Sequence, residues 1–225
     1  MKELHKRAWR GLIVVTICMA LALFLSAGTI AYWYGWIYLG IYASASVLIT
    51  LYLMKYDPAL LERRIKAGPS AEKHGAQKMI AGLAFLAYIA SFILPALDYR
   101  LHWSHVPWGV VLLGDVLTAL SFYIVFLVFR ENSFAAATVS LAPDQKVIAT
   151  GPYAIVRHPM YIGVTLLFIA TPLALGSFFG LLIFLVALPV FIWRLIDEEK
   201  FLREHLNGYA EYCTKVRWRL LPGVF

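Results

Sequence analysis

Trp108-Gly-Val-Val-Leu-Leu-Gly-Asp-Val-Leu-Thr-Ala-Leu-Ser-Phe-Tyr-Ile-Val-Phe-Leu-Val-Phe129 carries a single charge, Asp115. A helix of about twenty apolar residues is what the hydrocarbon of a bilayer requires. Three more such runs are present: Leu12 to Ala31, Trp36 to Met54 and Met79 to Leu97. A longer one, Tyr161 to Ile196, is broken by Thr171-Pro172 and Gly176-Ser177. It is too long for one ordinary span and suits a tight helical hairpin. Composition agrees: of 225 residues, 61% are hydrophobic and 15% charged, against about 25% charged in soluble domains. A soluble enzyme, a disordered chain and a nucleic-acid module are excluded.

The net charge of +7 follows the ends of the apolar runs. Of the 20 Lys and Arg residues, all but Arg100 fall in four stretches. These are the N-terminal tail, the segment 55–78, the segment 130–158, and the chain from Arg194 onward. Alternate loops of a multi-pass protein lie on the same side, and the basic side is cytoplasmic. The bias of 19 to 1 predicts an all-α integral membrane protein of about six transmembrane helices. Four spans are followed by a C-terminal hairpin, and both termini are cytoplasmic. The aromatic cluster Tyr32, Trp33, Tyr34, Trp36 and Tyr38 reads as an interfacial belt. The basic flank of the first run also fits a secretory signal, with Ser26-Ala27-Gly28 as a weak cleavage site; we read it as an uncleaved span.

Polar sequence is concentrated after the fourth run, so residues 1–129 form a four-helix bundle and 130–225 a second, polar region in which chemistry is expected. Gly151-Pro-Tyr-Ala-Ile-Val-Arg-His-Pro-Met-Tyr161 is its densest piece. Pro159 suits the first turn of a helix with His158 just outside it, and the free N–H groups there suit a carboxylate or phosphate. The same residues also make an ordinary membrane-entry turn. Arg194-Leu-Ile-Asp-Glu-Glu199 closes the last apolar run, with Arg194 and Glu198 on one helix face. By spacing alone these two are a surface ion pair worth a few tenths of a kcal/mol, or Arg194 snorkels to headgroups.

The combined pattern narrows these readings. Gly151-Pro-Tyr153, Arg157-His-Pro-Met-Tyr-Ile-Gly163, the Glu198-Glu199 pair, then Tyr209, Tyr212, Val216 and Pro222 together resemble the isoprenylcysteine carboxyl methyltransferase and phospholipid methyltransferase superfamily. The resemblance covers roughly residues 130–225. It implies S-adenosylmethionine as methyl donor, in a pocket at the cytoplasmic face. Residue by residue it implies cofactor contacts from the strand-like Gln145, Lys146, Val147 and Ile148, from Tyr153, and from His158, Pro159, Met160 and Tyr161. Glu198 would bind the cofactor too, and Arg194 would hold the methyl acceptor. A carboxylate acceptor needs alignment rather than a general base, and a planar guanidinium orients it in bidentate fashion. An amine acceptor needs a proton acceptor, for which Glu199 is nearest. The implied catalytic set is therefore Arg194, Glu198 and Glu199, with an amphipathic or prenylated acceptor and membrane lipids as partners.

Other residues carry less. Cys18 and Cys213 lie too far apart for a disulfide framework or a metal pair. A charge at mid-span costs about 2.5–3.5 kcal/mol on insertion scales, so Asp115 is neutral or hydrogen-bonded in the bundle, or lines an acceptor tunnel. His102 and His105 read as interfacial loop residues rather than a metal pair. Three alternatives stand beside carboxyl methylation: N-methylation of phosphatidylethanolamine, a nicotinamide-dependent sterol-type reductase with a similar His-Pro-x-Tyr pattern, and a non-enzymatic small transporter or lipid-binding protein.

Overall fold

A computed structural model of the chain describes residues 1–65, 75–138, 141–142 and 144–225. Part of the basic segment 55–78, including Lys66 and Lys73, lies outside the described residues. Among the described residues, eight α-helices follow in order: α1 (Lys2–Ala27), α2 (Trp33–Tyr56), α3 (Pro58–Ile65), α4 (Gly75–Leu101), α5 (Trp108–Glu131), α6 (Pro159–Ala174), α7 (Leu181–His205) and α8 (Tyr209–Lys215). A 3₁₀ turn spans Gly151–Ala154. No strand occurs among the described residues. The stretch Gln145 to Ile148, expected to be strand-like, is irregular.

Four helices, α1, α2, α4 and α5, are long and apolar enough to cross a membrane. Their outer faces explain why. Ile13, Val14, Ile17 and Leu21 of α1 and Leu112, Leu113, Val116 and Leu120 of α5 are exposed. So wide an apolar surface suits lipid rather than water. Of the expected hairpin, α6 is apolar but short, and α7 turns polar from Arg194 onward. Both helices exist where expected; among the described residues, four helices combine the length, the hydropathy and the scarcity of charge that a span requires.

The helices meet through small residues, because apolar side chains gain little from leaving lipid for each other. The α5–α6 contact is the most extensive. A Cβ on Gly114 would lie 2.2 Å from the backbone nitrogen of Ala174, and one on Gly163 would lie 2.8 Å from Val125. Glycine at both positions lets the two backbones close up, and this fixes α6 against the bundle.

Two ends result. At one, the Tyr32 hydroxyl donates to the Leu175 carbonyl at 2.6 Å, and Asp98 accepts from Ser104 and Ser177. The α1–α2, α4–α5 and α6–α7 turns therefore gather there, with Arg100 beside Gly28. At the opposite end Arg63 binds the Ser133 carbonyl, Gln77 donates to Asp197 and Asn132 donates to Tyr153. The polar C-terminal region is packed onto this second end.

Candidate functional site

Entry into α6 is set by the C-terminal tail. Backbone N–H groups of Arg157 and His158 donate to the carbonyls of Trp218 (2.9 Å) and Arg219 (3.0 Å). This short extended pairing stops the chain just before the helix. His158 is the N-cap and Pro159 the first helical residue, where a missing N–H costs nothing. Arg157 is buried and reaches Glu199 at 3.0 Å and the carbonyls of Cys213 and Val216. It anchors the tail.

On α7, helical periodicity separates two adjacent glutamates. Leu195 and Glu199 share the buried face, and Glu199 accepts from Arg219 at 2.5 Å and Arg203 at 3.0 Å. Arg194 and Glu198, also four apart, share a different face and line a cavity. The Tyr161 hydroxyl donates to Glu198 Oε2 at 2.7 Å, linking α6 to α7 across that cavity.

The cavity holds about 360 Å³, within the range of small-molecule sites. Its walls come from three places: the start of α6, the polar half of α7 with α8, and the irregular chain of residues 132–138 and 145–148. Phe201, Leu202 and Leu206 supply an apolar side, and Tyr153, Tyr209 and Tyr212 supply rings. Tyr153 is held by Asn132 at 2.8 Å, and its carbonyl accepts from Tyr212 at 2.7 Å. From the N-terminal half, Arg64, Ala81 and Ala84 also line it. The cavity wall thus crosses the expected boundary at residue 129.

Electrostatically the site is polarised. Burial pushes the His158 imidazole below its usual 6.5, against the opposing pull of Glu198 and Glu199, which favours its neutral form. Burial pushes the Tyr153 phenol up to about 12. Burial alone would raise the Glu199 carboxyl, but hydrogen bonds from Arg219 and Arg203 with the charge of Arg157 bring it below 4.5. Three buried polar atoms of lining residues have no protein partner: Arg157 Nε, His158 Nε2 and the Tyr209 hydroxyl. Groups like these await a ligand or water.

Gln145, Lys146, Val147, Ile148, Tyr153, His158, Met160, Tyr161, Arg194 and Glu198 all line one cavity. Pro159 shapes the helix start and does not line it. Glu199 does not line it either: its carboxylate faces three arginines on the far side of α7. Sequence reasoning missed Arg64, Asn132 and the Phe134–Thr138 chain. Tyr209 and Tyr212 were part of the motif but received no role. Among the described residues, no three His, Cys, Asp or Glu side chains gather as metal ligands. His102 and His105 sit at the other end, in the α4–α5 turn.

Residues 110–208 match the family model described as phospholipid methyltransferase. The chain is 29% identical over 160 residues to a protein-S-isoprenylcysteine O-methyltransferase of Schizosaccharomyces pombe, covering 70% of this chain and 61% of that one. It is also 29% identical over 93 residues to the Delta(14)-sterol reductase TM7SF2 of Mus musculus, covering 39% of this chain and 22% of the reductase. The chain therefore spans less than two thirds of either relative. The resemblance to the phospholipid and isoprenylcysteine methyltransferase superfamily, carried in the sequence by the Arg-His-Pro-x-Tyr and Glu-Glu motifs, is shown by the first two matches.

Proposed function

We propose that this protein transfers a methyl group from S-adenosylmethionine to the carboxylate of a lipidated acceptor, an isoprenylcysteine-like molecule, at the cytoplasmic membrane face. The observation that carries the reading is the shared wall of Arg194 and Glu198, one helical turn apart on α7, opposite His158 and Tyr161. A sulfonium amino acid fits these residues. Glu198 suits its ammonium, and the partnerless His158 Nε2 and Tyr209 hydroxyl suit its carboxylate and ribose. Phe201, Leu202 and Leu206 suit the adenine.

In this reading residues 130–225 bind the donor and residues 1–129 guide the acceptor, with both termini cytoplasmic. The cofactor supplies an electrophilic methyl group on a cationic sulfur. Glu198 and His158 would hold the cofactor, and Arg194 would hold the acceptor carboxylate in line with that methyl group. No proton moves. The chain's task is alignment, which in well-oriented reactions removes about 7–11 kcal/mol of barrier. Arg194 fixes the carboxylate in the plane of its guanidinium.

An amine acceptor is less well served. It has to lose a proton, and Glu199, the nearest base by sequence, is tied to three arginines that keep it ionised and engaged. A nicotinamide-dependent reductase is favoured by the similarity to the sterol reductase. It is weighed against by the longer match to the methyltransferase and by the Glu198–Arg194 wall. A transporter is disfavoured because the polar cavity lies at one end of the bundle rather than at mid-membrane.

Calorimetry of the detergent-solubilised protein tests the reading. S-Adenosylmethionine binds and NADPH does not. His158→Ala and Glu198→Ala each weaken cofactor binding while the thermal melt stays cooperative. Binding of NADPH in preference to the sulfonium overturns the reading; mutants that bind like wild type overturn the residue assignments.

A further inference from the structure

A second guanidinium stands beside Arg194. Arg64 belongs to α3, an eight-residue helix whose entry is capped by Asp57, with its Oδ1 accepting from the Leu60 N–H at 2.9 Å. Leu60 and Leu61 are buried against Ala8, Leu53, Met54 and Phe129. Arg64, three and four residues further on, is carried on that inward face. Its guanidinium lies over the Phe129 ring at 5.0 Å, and Nη1 donates to the Ala136 carbonyl at 3.1 Å. Arg194, from α7, donates through Nη2 to the next carbonyl, that of Ala137, at 3.0 Å. Two arginines from opposite halves of the chain thus grip consecutive residues of one irregular segment, and both line the cavity.

This arrangement lacks a counter-charge on the α3 side. Arg64 meets a carbonyl and a ring, and no carboxylate among the described residues. One of its five N–H donors is used on the Ala136 carbonyl; the fork retains capacity for an oxyanion. Burial and the neighbouring positive charge of Arg194 push Arg64 from 12.5 down to about 10, so at neutral pH both groups remain cationic and repel. An anion beside Arg64 supplies the counter-charge that the α3 side lacks. Glu199 faces Arg157, Arg203 and Arg219 on the other side of α7.

We propose that Arg64 and Arg194 together form an anion cradle in which Arg64 is the specificity-determining residue that selects an acceptor with a free carboxylate. The proposal rests on the carboxyl-methylation reading and adds a residue from the N-terminal bundle to it. The acceptor headgroup enters between α3 and α7, and its carboxylate is shared by two forks.

The test uses the full-length protein in detergent micelles with two probes, N-acetyl-S-geranylgeranylcysteine and its primary amide. The pair differs in charge but not in the prenyl tail. Wild type prefers the acid. In Arg64→Gln that preference falls at least tenfold, chiefly as a raised KM for the acid, while amide binding and S-adenosylmethionine affinity stay near wild type. Arg64→Lys recovers part of the preference, which a purely structural role does not predict. If Arg64→Gln weakens acid and amide equally, or weakens the cofactor instead, Arg64 only braces the Ala136 segment or belongs to the donor, and the cradle is wrong. If wild type itself binds the two probes equally, the carboxylate reading fails, and the cradle fails with it.

Discussion

Arg157, just before α6, and Glu199, on α7, form an ion pair of 3.0 Å with side chains 5% and 4% exposed. Glu199 is also the acceptor for Arg203 and Arg219, so one carboxylate joins α7, the α6 entry and the C-terminal tail. Removing one member of a buried pair leaves the other charge stranded, at a cost of about 3–5 kcal/mol. Glu199→Gln is therefore expected to lower the melting temperature sharply and to release the tail to proteolysis. Arg203→Ala, which removes a half-exposed partner, should cost under about 1 kcal/mol. Equal melts for the two variants would show that Glu199 does not tie these elements together.

Acid should unfold the polar end before the bundle. The folded His158 has its pKa below 6.5, so under that pH the unfolded chain binds a proton that the folded chain refuses. Stability is then full above about 6.5 and declines as pH falls toward the folded value. Glu199 adds a second loss, because its folded pKa lies below 4.5 and its contribution disappears as pH drops through that value. Melting curves in detergent should fall from pH 7 to 5 and more steeply below 4.5. His158→Asn should flatten the first limb only. Parallel curves for variant and wild type between pH 6.5 and 4.5 would remove His158 as the source.

Gly114 and Gly82 offer a matched comparison. Both lie in helices that meet the length and hydropathy of a span. A Cβ at position 114 would stand 2.2 Å from Ala174 N and 2.7 Å from the Leu173 carbonyl carbon, whereas one at Gly82 meets nothing within 4 Å. Gly114→Ala should destabilise by about 1–3 kcal/mol through overpacking. Gly82→Ala should be neutral or slightly stabilising through helix propensity. Thermal melts of both variants check this, and a tolerated Gly114→Ala would mean that α5 and α6 sit further apart.

The spans were legible because lipid imposes a one-dimensional demand, about twenty apolar residues, that can be read without knowing any contact. The α6 start was legible for a similar reason: His158-Pro159 is a local signal. The separation of Glu199 from Glu198 was not legible, because successive residues on a helix point about 100° apart and face different environments. Arg64 was invisible as a site residue. In the sequence it is one more positive charge in a basic segment, and it supports orientation only. Its position depends on α3 packing Leu60 and Leu61 beneath Phe129, a tertiary contact that no local pattern announces. The Phe134–Thr138 wall was missed because a run of small apolar residues has no chemistry until arginines hold its carbonyls.

Arg194 separates the acceptor from the donor. It lies on the cavity face of α7 one turn before Glu198, half-buried, with one N–H on the Ala137 carbonyl. Arg194→Lys keeps the charge and removes the planar fork. If Arg194 orients an acceptor carboxylate, methyl transfer falls steeply, since misplacement by about an ångström costs on the order of a hundredfold. S-Adenosylmethionine affinity stays near wild type, because the residues assigned to the donor are untouched. A surface ion pair with Glu198 predicts a different result, with normal turnover and a stability change of a few tenths of a kcal/mol. Single-turnover rates and calorimetric cofactor affinity, measured on the same preparation, distinguish the cases. Normal rates would remove Arg194 from the acceptor site, and lost cofactor binding would assign it to the donor.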